Sequence, residues 1–374
     1  VRDIRILHII SGNDGGGAKT HLLNLCLNSG SLFNNIIGCI NEGVLYHEAL
    51  EKGIETVLFH QKSRFDLSIS KNIKNYILKN KIDIVNFHGA NPNFIYVFLK
   101  ADIKTPCVTT IHSDYRYDFI NNKLKYLLFT PLNSYAIKSF KSHICVSEKI
   151  KELLEKKGME SKKYVVNNGI NSDVQIIESP DEIRKNYKIK MDSFVYTMVA
   201  RMHPIKNHIN LIKAFEKLSE ELKDVYLLLV GDGEMKSTLK STAAALGLDG
   251  KVIFTGRKEN AIDYINAGDI NILTSFNETF SLVVLEGAIV NKAVICSDVG
   301  DIKKLVNKEN GFIVNPNDID DIYEKMKLGF MNKENLPSMG KKLHDAVIEN
   351  YSMDKFCQRY FDSYKSIIEG ETNG

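Results

Sequence analysis

Twice along this chain, short apolar runs of strand length alternate with longer stretches of helical periodicity, and that rhythm admits few folds. In the first half the runs fall at 4–10, 35–40, 56–60, 84–88, 107–112, 143–146 and 164–166, with amphipathic stretches such as 18–27 and 69–79 between them. In the second half they fall at 194–200, 225–230, 252–255, 270–274, 293–296 and 311–314, with helical patterns near 209–222, 234–246, 281–291 and 319–330. Strands separated by helix-length segments read as βαβ units, which build parallel sheets. The expected fold class is α/β: two Rossmann-like, doubly wound parallel-sheet domains facing each other across a cleft, with ligands at the carboxyl ends of the strands. No short repeat period runs through the chain.

A length of 374 residues suits two domains. Residues 171–192 are polar, contain Ser179-Pro180 and hold no strand pattern, so they read as a linker. The expected domains are 1–170 and 193–350, with a tail at 351–374 that is helical in pattern over 353–368. Apolar residues at 44% and charged residues at 25% exclude a disordered or collagenous chain. Apolar runs such as Val225–Val230 are far shorter than the ~20 residues of a membrane span. The opening VRDIRILHII runs straight into a strand pattern without a cleavage-site signature, and is not read as a signal peptide. Six scattered cysteines, with no CxxC pair, point to reduced core thiols and a cytoplasmic protein.

The net charge of +3 carries no nucleic-acid footprint. Its distribution is uneven: residues 121–163 hold ten lysines against four glutamates, and Tyr126, Leu127, Leu128 and Phe129 lie beside Lys123 and Lys125. That stretch is either a solvated helical face or a patch for an anionic membrane surface.

Several segments at expected strand ends carry chemistry-bearing residues. Gly15-Gly16-Gly17 follows the first strand and precedes a helix, where bare backbone N–H groups favour an anion, although a flexible turn has the same composition. Arg201 and Lys206, in VARMHPIKNH, follow the strand 194–200, with Asn207 placed to cap the next helix. Two cations there suit a diphosphate; two solvated surface cations are the alternative. Glu278 falls in a loop after the strand ending at Thr274, with a helix expected from Thr279–Ser281. Glu286 lies on that otherwise apolar helix, where a carboxylate needs a partner. Gly231, Asp232 and Gly233, and likewise Gly256 and Arg257, follow further strands, where they would hold a base or ribose or simply close tight turns. His112, Asp114 and Tyr115 form a polar cluster at another strand end, with His88 in a similar position. Asp318-Ile319-Asp320 has a DxD form but opens a helix, so capping is its expected job. His203 and His208 do not form a zinc motif.

Taken in order, these pieces resemble the family 4 glycosyltransferases of the GT-B fold. The resemblance spans nearly the whole chain. It rests on NNGIN at 167–171, VARMHPIKNHINLIKAF at 199–215, LLVGDG at 228–233, FTGR at 254–257, the E-x7-E segment from Glu278 to Glu286, and GFIVNP at 311–316. It implies a retaining transfer of a hexose or N-acetylhexosamine from a nucleotide-sugar, with a UDP-sugar favoured and no metal or other cofactor required. By the same resemblance Arg201 and Lys206 hold the diphosphate, Glu286 the ribose hydroxyls, and Glu278 the donor sugar. Thr279, Phe280, Ser281 and Leu282 present backbone N–H groups. His112 meets the sugar near its reacting carbon, Gly15, Gly16 and Gly17 close over the phosphates, and Gly231 and Arg257 line the donor site. The tail helix crosses back to the N-terminal domain. The acceptor is a sugar, a lipid-linked sugar or a polymer.

Two positions depart from the family pattern: Ala200 precedes Arg201 where glycine is frequent, and Gly287 follows Glu286 where alanine is usual. Neither removes a charge. The chemistry is coherent: departure of a nucleoside diphosphate concentrates charge on phosphate oxygens, which two cations and a helix N-terminus stabilise without a metal. The retention that the resemblance implies requires front-face attack, the favoured route, with a donor phosphate oxygen accepting the acceptor proton, or a covalent intermediate, for which no N-domain carboxylate stands out as nucleophile and Asp114 stays open. Usage rich in Lys, Asn and Ile suggests an AT-rich bacterial genome, hence cell-surface polysaccharide or glycolipid assembly, in the cytoplasm or peripherally at the inner face of the plasma membrane. The alternatives are a nucleotide-sugar epimerase or a phosphorylase-like enzyme of the same fold, or a silent binding module, against which the retained charges argue. No GxGxxG follows any strand, which sets aside a dinucleotide-dependent oxidoreductase.

Overall fold

A computed structural model describes residues 4–63, 66, 68–117 and 123–372. The chain divides into two units, Val1–Gly169 with Met353–Gly374, and Ile170–Ser352.

The first unit is built on β1 (Arg5–Ile10), β2 (Asn34–Cys39), β3 (Thr56–Leu58), β4 (Ile84–His88), β5 (Cys107–Ile111), β6 (Ser142–Cys145) and β7 (Lys162–Val165). Among the described residues these form one parallel sheet in the order β3-β2-β1-β4-β5-β6-β7. Its central strands are buried on both faces because helices cover each side, which is why they read as unbroken apolar runs. The order reverses between β1 and β4, so the loops leaving their carboxyl ends part in opposite directions and open a crevice. The tail helix, Met353–Thr372, belongs to this unit: Phe356, Tyr360, Tyr364 and Ile367 pack with Ile6, Ile84, Val108 and Ile144. Each such large side chain contributes roughly 1.5–3 kcal/mol by burial. Gly169 is needed here, since a Cβ would fall 2.5 Å from the Phe356 Cβ.

The second unit carries β8 (Phe194–Val199), β9 (Val225–Val230), β10 (Val252–Gly256), β11 (Ile270–Leu273), β12 (Val294–Ser297) and β13 (Gly311–Val314). They form a parallel sheet in the order β10-β9-β8-β11-β12-β13, with the switch between β8 and β11. All thirteen strand ends lie within about two residues of the apolar runs, the usual ambiguity of such boundaries.

The stretch expected as a linker is structured and sits inside the second unit. A capping box between Ser179 and Glu182 opens the helix Pro180–Asn186. Ile183 and Ile189 pack with Val195, Leu228 and Tyr264. The Arg184 guanidinium donates to the Ala267 and Ser193 carbonyls and to the Asp269 carboxylate. Within this helix Ile183 is the buried apolar residue, too little to register as a periodicity. Among the described residues, no helix is long and apolar enough to cross a membrane.

Candidate active site

The switch point of the second unit gathers most of the expected residues. The loop after β8 carries Arg201 and Lys206, and the loop after β11 carries Glu278. Because β8 and β11 are neighbours in the sheet, the two loops meet: the Phe276 N–H donates to the Ile205 carbonyl at 2.8 Å. The Lys206 ammonium donates to Glu278 Oε1 at 2.5 Å, and the Ser275 hydroxyl donates to the same oxygen at 2.8 Å. Both partners are largely buried, with side-chain exposures of 25% and 13%. Arg201 is exposed and makes no side-chain hydrogen bond or ion pair among the described residues.

The helix Leu282–Ile289 begins later than expected, with Ser281 as its N-cap, so Thr279 and Phe280 belong to the loop and Glu278 lies outside the helix. The Ser281 side chain makes no cap hydrogen bond. The N–H groups of Thr279, Phe280, Ser281 and Leu282 donate no hydrogen bond among the described residues, leaving a run of donors where the helix dipole is positive. The Phe280 ring turns into the core and packs on Tyr351, so only its backbone is offered. Glu286 is half-buried on this helix with no partner among the described residues, and burial pushes its carboxyl above the ordinary value. Gly287 has a packing reason. A Cβ there would fall 2.7 Å from Asn271 Nδ2, which donates to the Val283 carbonyl.

Other parts of the motifs hold the loops. Gly231 has φ +144°, and a Cβ on it would fall 2.0 Å from the Ala200 carbonyl oxygen, so the β9 turn clamps the backbone ahead of Arg201. Asn207 does not cap the following helix by its side chain: it sits at φ +59° and donates to the Pro316 carbonyl at 2.7 Å. That bond ties the Lys206 loop to the GFIVNP segment, and His203 caps the short turn Pro204–Lys206 instead. Arg257 is exposed just past β10, an edge strand of the sheet. Gly300, which sequence reasoning passed over, lies at φ +63° with the Glu278 and Thr279 carbonyls 2.7 and 2.6 Å from where its Cβ would stand. Asp318 caps its helix, accepting from the Asp320 and Asp321 N–H groups.

In the first unit, Gly15, Gly16 and Gly17 are exposed at the start of the helix Gly17–Asn28, at the β1 side of the switch. None of the three has a positive φ, and a Cβ on Gly15 or Gly17 would meet nothing within 4 Å. Neither the backbone conformation nor the packing of the chain demands glycine there. A cavity of about 330 Å³ opens beside them, lined by Asp14, Gly89, Asn93, His112 and Ser113 among others. The polar cluster expected around His112 is only partly there. Tyr115 is buried against Ile111, Ile137 and Ile150. The Asp114 carboxylate is taken up by Arg116, accepting from Nε at 2.8 Å and from a terminal nitrogen at 2.6 Å. Burial acts to raise the Asp114 carboxyl, but the Arg116 bonds outweigh it and the net shift is downward. That pairing disfavours Asp114 as a nucleophile. His88 is buried and bonded to both His112 and His8.

The basic stretch 121–163 begins in residues outside those described, as do the side chains of Lys123 and Lys125. Within the helix Lys123–Lys138, Tyr126, Leu127, Leu128, Leu132 and Tyr135 are exposed, whereas Phe129 is half-buried.

Two family models match. One, described as Glycosyltransferase Family 4, covers residues 15–174, and the other, described as Glycosyl transferases group 1, covers residues 179–345. The N-acetyl-alpha-D-glucosaminyl L-malate synthase of Bacillus anthracis is 22% identical over 315 residues, 83% of this chain and 81% of that protein. An Escherichia coli UDP-Gal:alpha-D-GlcNAc-diphosphoundecaprenol alpha-1,3-galactosyltransferase is 25% identical over 318 residues, 81% of this chain and 82% of that one. A glycosyltransferase from Rickettsia africae superposes with a TM-score of 0.84 at 23% identity, covering 99% of this chain and 100% of that one. Anabaena HepE in complex with UDP does so with a TM-score of 0.84 at 16% identity, covering 97% and 100%.

Proposed function

This chain belongs to the glycosyltransferases of group 1 and family 4, with the two Rossmann-like units of the GT-B fold, and on that premise we propose a retaining transfer of a hexose or N-acetylhexosamine from a nucleotide-sugar to a hydroxyl acceptor. The observation that carries the reading is the charge arrangement at the β8/β11 switch. There, among the described residues, an Arg201 and four N–H groups without partners and a paired Lys206 offer positive potential, beside a Glu286 carboxylate that also lacks a partner. Arg201 and the remaining N–H bonds of Lys206 take the diphosphate, Glu286 accepts from ribose hydroxyls, and Glu278 accepts from the sugar while holding Lys206 in place. In the first unit, the glycines at 15–17 admit phosphate to the backbone, and His112 meets a sugar hydroxyl.

The C1–O bond to the leaving phosphate breaks, and the acceptor oxygen bonds C1 on the same face. The acceptor proton passes to an oxygen of the departing diphosphate. Fixed cations stabilise the charge that develops there, in a site where such groups need no reorganisation. No metal is required by this arrangement. A UDP-sugar is favoured: the E. coli relative is named for UDP-Gal, and HepE was crystallised with UDP and with UDP-glucose.

Relatives named for diphosphoundecaprenol and teichuronic acid chemistry support bacterial cell-surface glycoconjugate synthesis with a lipid-linked, sugar or polymer acceptor. The exposed apolar face of the helix Lys123–Lys138, in a lysine-rich stretch, supports peripheral attachment to an anionic membrane from the cytoplasmic side.

Thermal-shift screening against UDP, GDP and ADP tests the donor assignment. A ligand present at one hundred times its Kd adds about 2.7 kcal/mol of stability. No shift with any of them removes it.

A further inference from the structure

Three histidines stand in a row behind the first-unit cavity, brought there by the strand order β1-β4-β5. His8 lies on β1, His88 ends β4, and His112 follows β5. His8 Nδ1 meets His88 Nε2 at 3.0 Å, and His88 Nδ1 meets His112 Nε2 at 2.9 Å. At the inner end His8 Nε2 lies 2.8 Å from Asn35 Oδ1. Asn35 donates from Nδ2 to the Ser29 hydroxyl at 2.8 Å, with its Oδ1 facing His8.

The protons in such a row are not independent. Burial holds His8, His88 and His112 below the ordinary histidine pKa, so each ring is neutral and carries one N–H. Asn35 Oδ1 can only accept, so His8 carries its proton on Nε2 and accepts on Nδ1. His88 must then donate from Nε2 and accept on Nδ1. His112 in turn must donate from Nε2. His112 is one of the residues that line the cavity, and its Nδ1, left with a lone pair, makes no hydrogen bond among the described residues. The ring plane is held as well: His21 packs edge-on against His112 with centroids 4.8 Å apart, and His21 is itself bonded to Asn168 and Tyr360.

We propose that Asn35, His8 and His88 are positioning residues that lock His112 in its Nε2–H tautomer, so that His112 offers the cavity an acceptor only and selects a ligand hydroxyl there over a carboxylate or phosphate oxygen. The ligand half rests on the reading of this cavity as a sugar site; the tautomer half stands on the hydrogen bonds together with the burial that keeps each ring neutral. An imidazole free to take either tautomer accepts or donates, and discriminates poorly. One whose other nitrogen is fixed by a bonded partner has a single role.

The test uses the full chain with ¹⁵N-labelled histidine, and UDP and UDP-glucose as probes. The expected spectrum of the wild type has His112 protonated at Nε2 and bare at Nδ1, with the signal assigned by its loss in His112→Gln. In His88→Leu the single tautomer gives way to a mixture. The Kd for UDP-glucose rises at least tenfold while that for UDP, which lacks the sugar, stays within about threefold. His88→Gln, whose amide both donates and accepts, recovers the single tautomer and most of the UDP-glucose affinity. A wild-type His112 protonated at Nδ1 overturns the proposal without any variant. Equal weakening of UDP and UDP-glucose in His88→Leu also overturns it, since that is what a merely structural role predicts. A UDP-glucose Kd unchanged in His112→Gln and His112→Ala overturns the sugar-site reading and the ligand half with it, while the tautomer stands or falls on the spectrum.

Discussion

Lys206 and Glu278 lie seventy-two positions apart in the chain, and their side chains meet at 2.5 Å. The contact exists because β8 and β11 are adjacent in the sheet, so the loops at their carboxyl ends face one another. The pair sets the cation's position and leaves it two further N–H bonds for an anion.

If Arg201, Lys206 and Glu286 hold the nucleotide, Arg201→Ala, Lys206→Ala and Glu286→Ala each lower kcat/KM at least tenfold, or ~1.4 kcal/mol of transition-state stabilisation. Their effects on folding differ. Lys206→Ala removes the cation from a Glu278 carboxylate that is 13% exposed, leaving it the Ser275 hydroxyl, and costs on the order of 1 kcal/mol of stability. Glu286→Ala, which breaks no bond among the described residues, leaves the melting temperature unchanged or raised. Wild-type rates in all three variants would end the assignment.

Charge stabilisation by fixed cations predicts that excess EDTA leaves transfer activity intact. Rates measured with and without chelator, and again after adding back magnesium or manganese, decide the point. Strict dependence on the added metal contradicts it.

Gly287 is matched to Asn271, whose amide fills the space a Cβ would need. Gly287→Ala is expected to cost about 1–2 kcal/mol, through overpacking and the loss of the Asn271 bond to the Val283 carbonyl. Pairing it with Asn271→Ala should return part of that loss. Chemical denaturation of the two single variants and the double variant measures the coupling.

Acid should destabilise this protein well above the carboxylate range. Burial lowers His8, His21, His143 and His208 to about 4 in the folded state. Each binds its proton near 6.5 once unfolded. Between pH 6.5 and about 4 the unfolded chain therefore holds more protons, and stability falls as the pH falls, by up to ~1.4 kcal/mol per pH unit for each such histidine. Unfolding free energies at a series of pH values give the slope directly. A flat profile from pH 6.5 to 5 is inconsistent with neutral buried histidines.

The exposed face of Leu127, Leu128, Leu132 and Tyr135 should carry the protein up a density gradient with anionic liposomes at low salt. Flotation is expected to weaken with added salt and with Leu127→Glu/Leu128→Glu, while neutral vesicles bind little. Equal recovery on neutral and anionic vesicles, or none on either, defeats the idea.

Much of the candidate site is legible in local pattern. The strands of the second sheet are largely buried apolar runs, so Arg201, Lys206 and Glu278 stand out in loops where a strand stops, and Glu286 stands out as a carboxylate on an apolar helix. Asn207 was misread because its local signal, an asparagine ahead of a helix, is the same whether its side chain caps that helix or reaches across to Pro316. Tyr115 beside Asp114 looked polar for a similar reason: one-dimensional neighbours do not reveal which way a ring turns. Gly300 and His8 carried no signal at all. Their partners lie on segments remote in the chain, at the Glu278–Thr279 backbone and at His88.

What the sequence by itself determined is the α/β rhythm, the two sheets and the residues at their carboxyl ends, because burial on both faces and turn chemistry act over a few neighbouring residues. Only the tertiary structure decided which strands stand side by side. Strand order is set by how helices cover the sheet rather than by any strand's own composition, and on that order depend both the Lys206–Glu278 contact and the row of imidazoles behind His112.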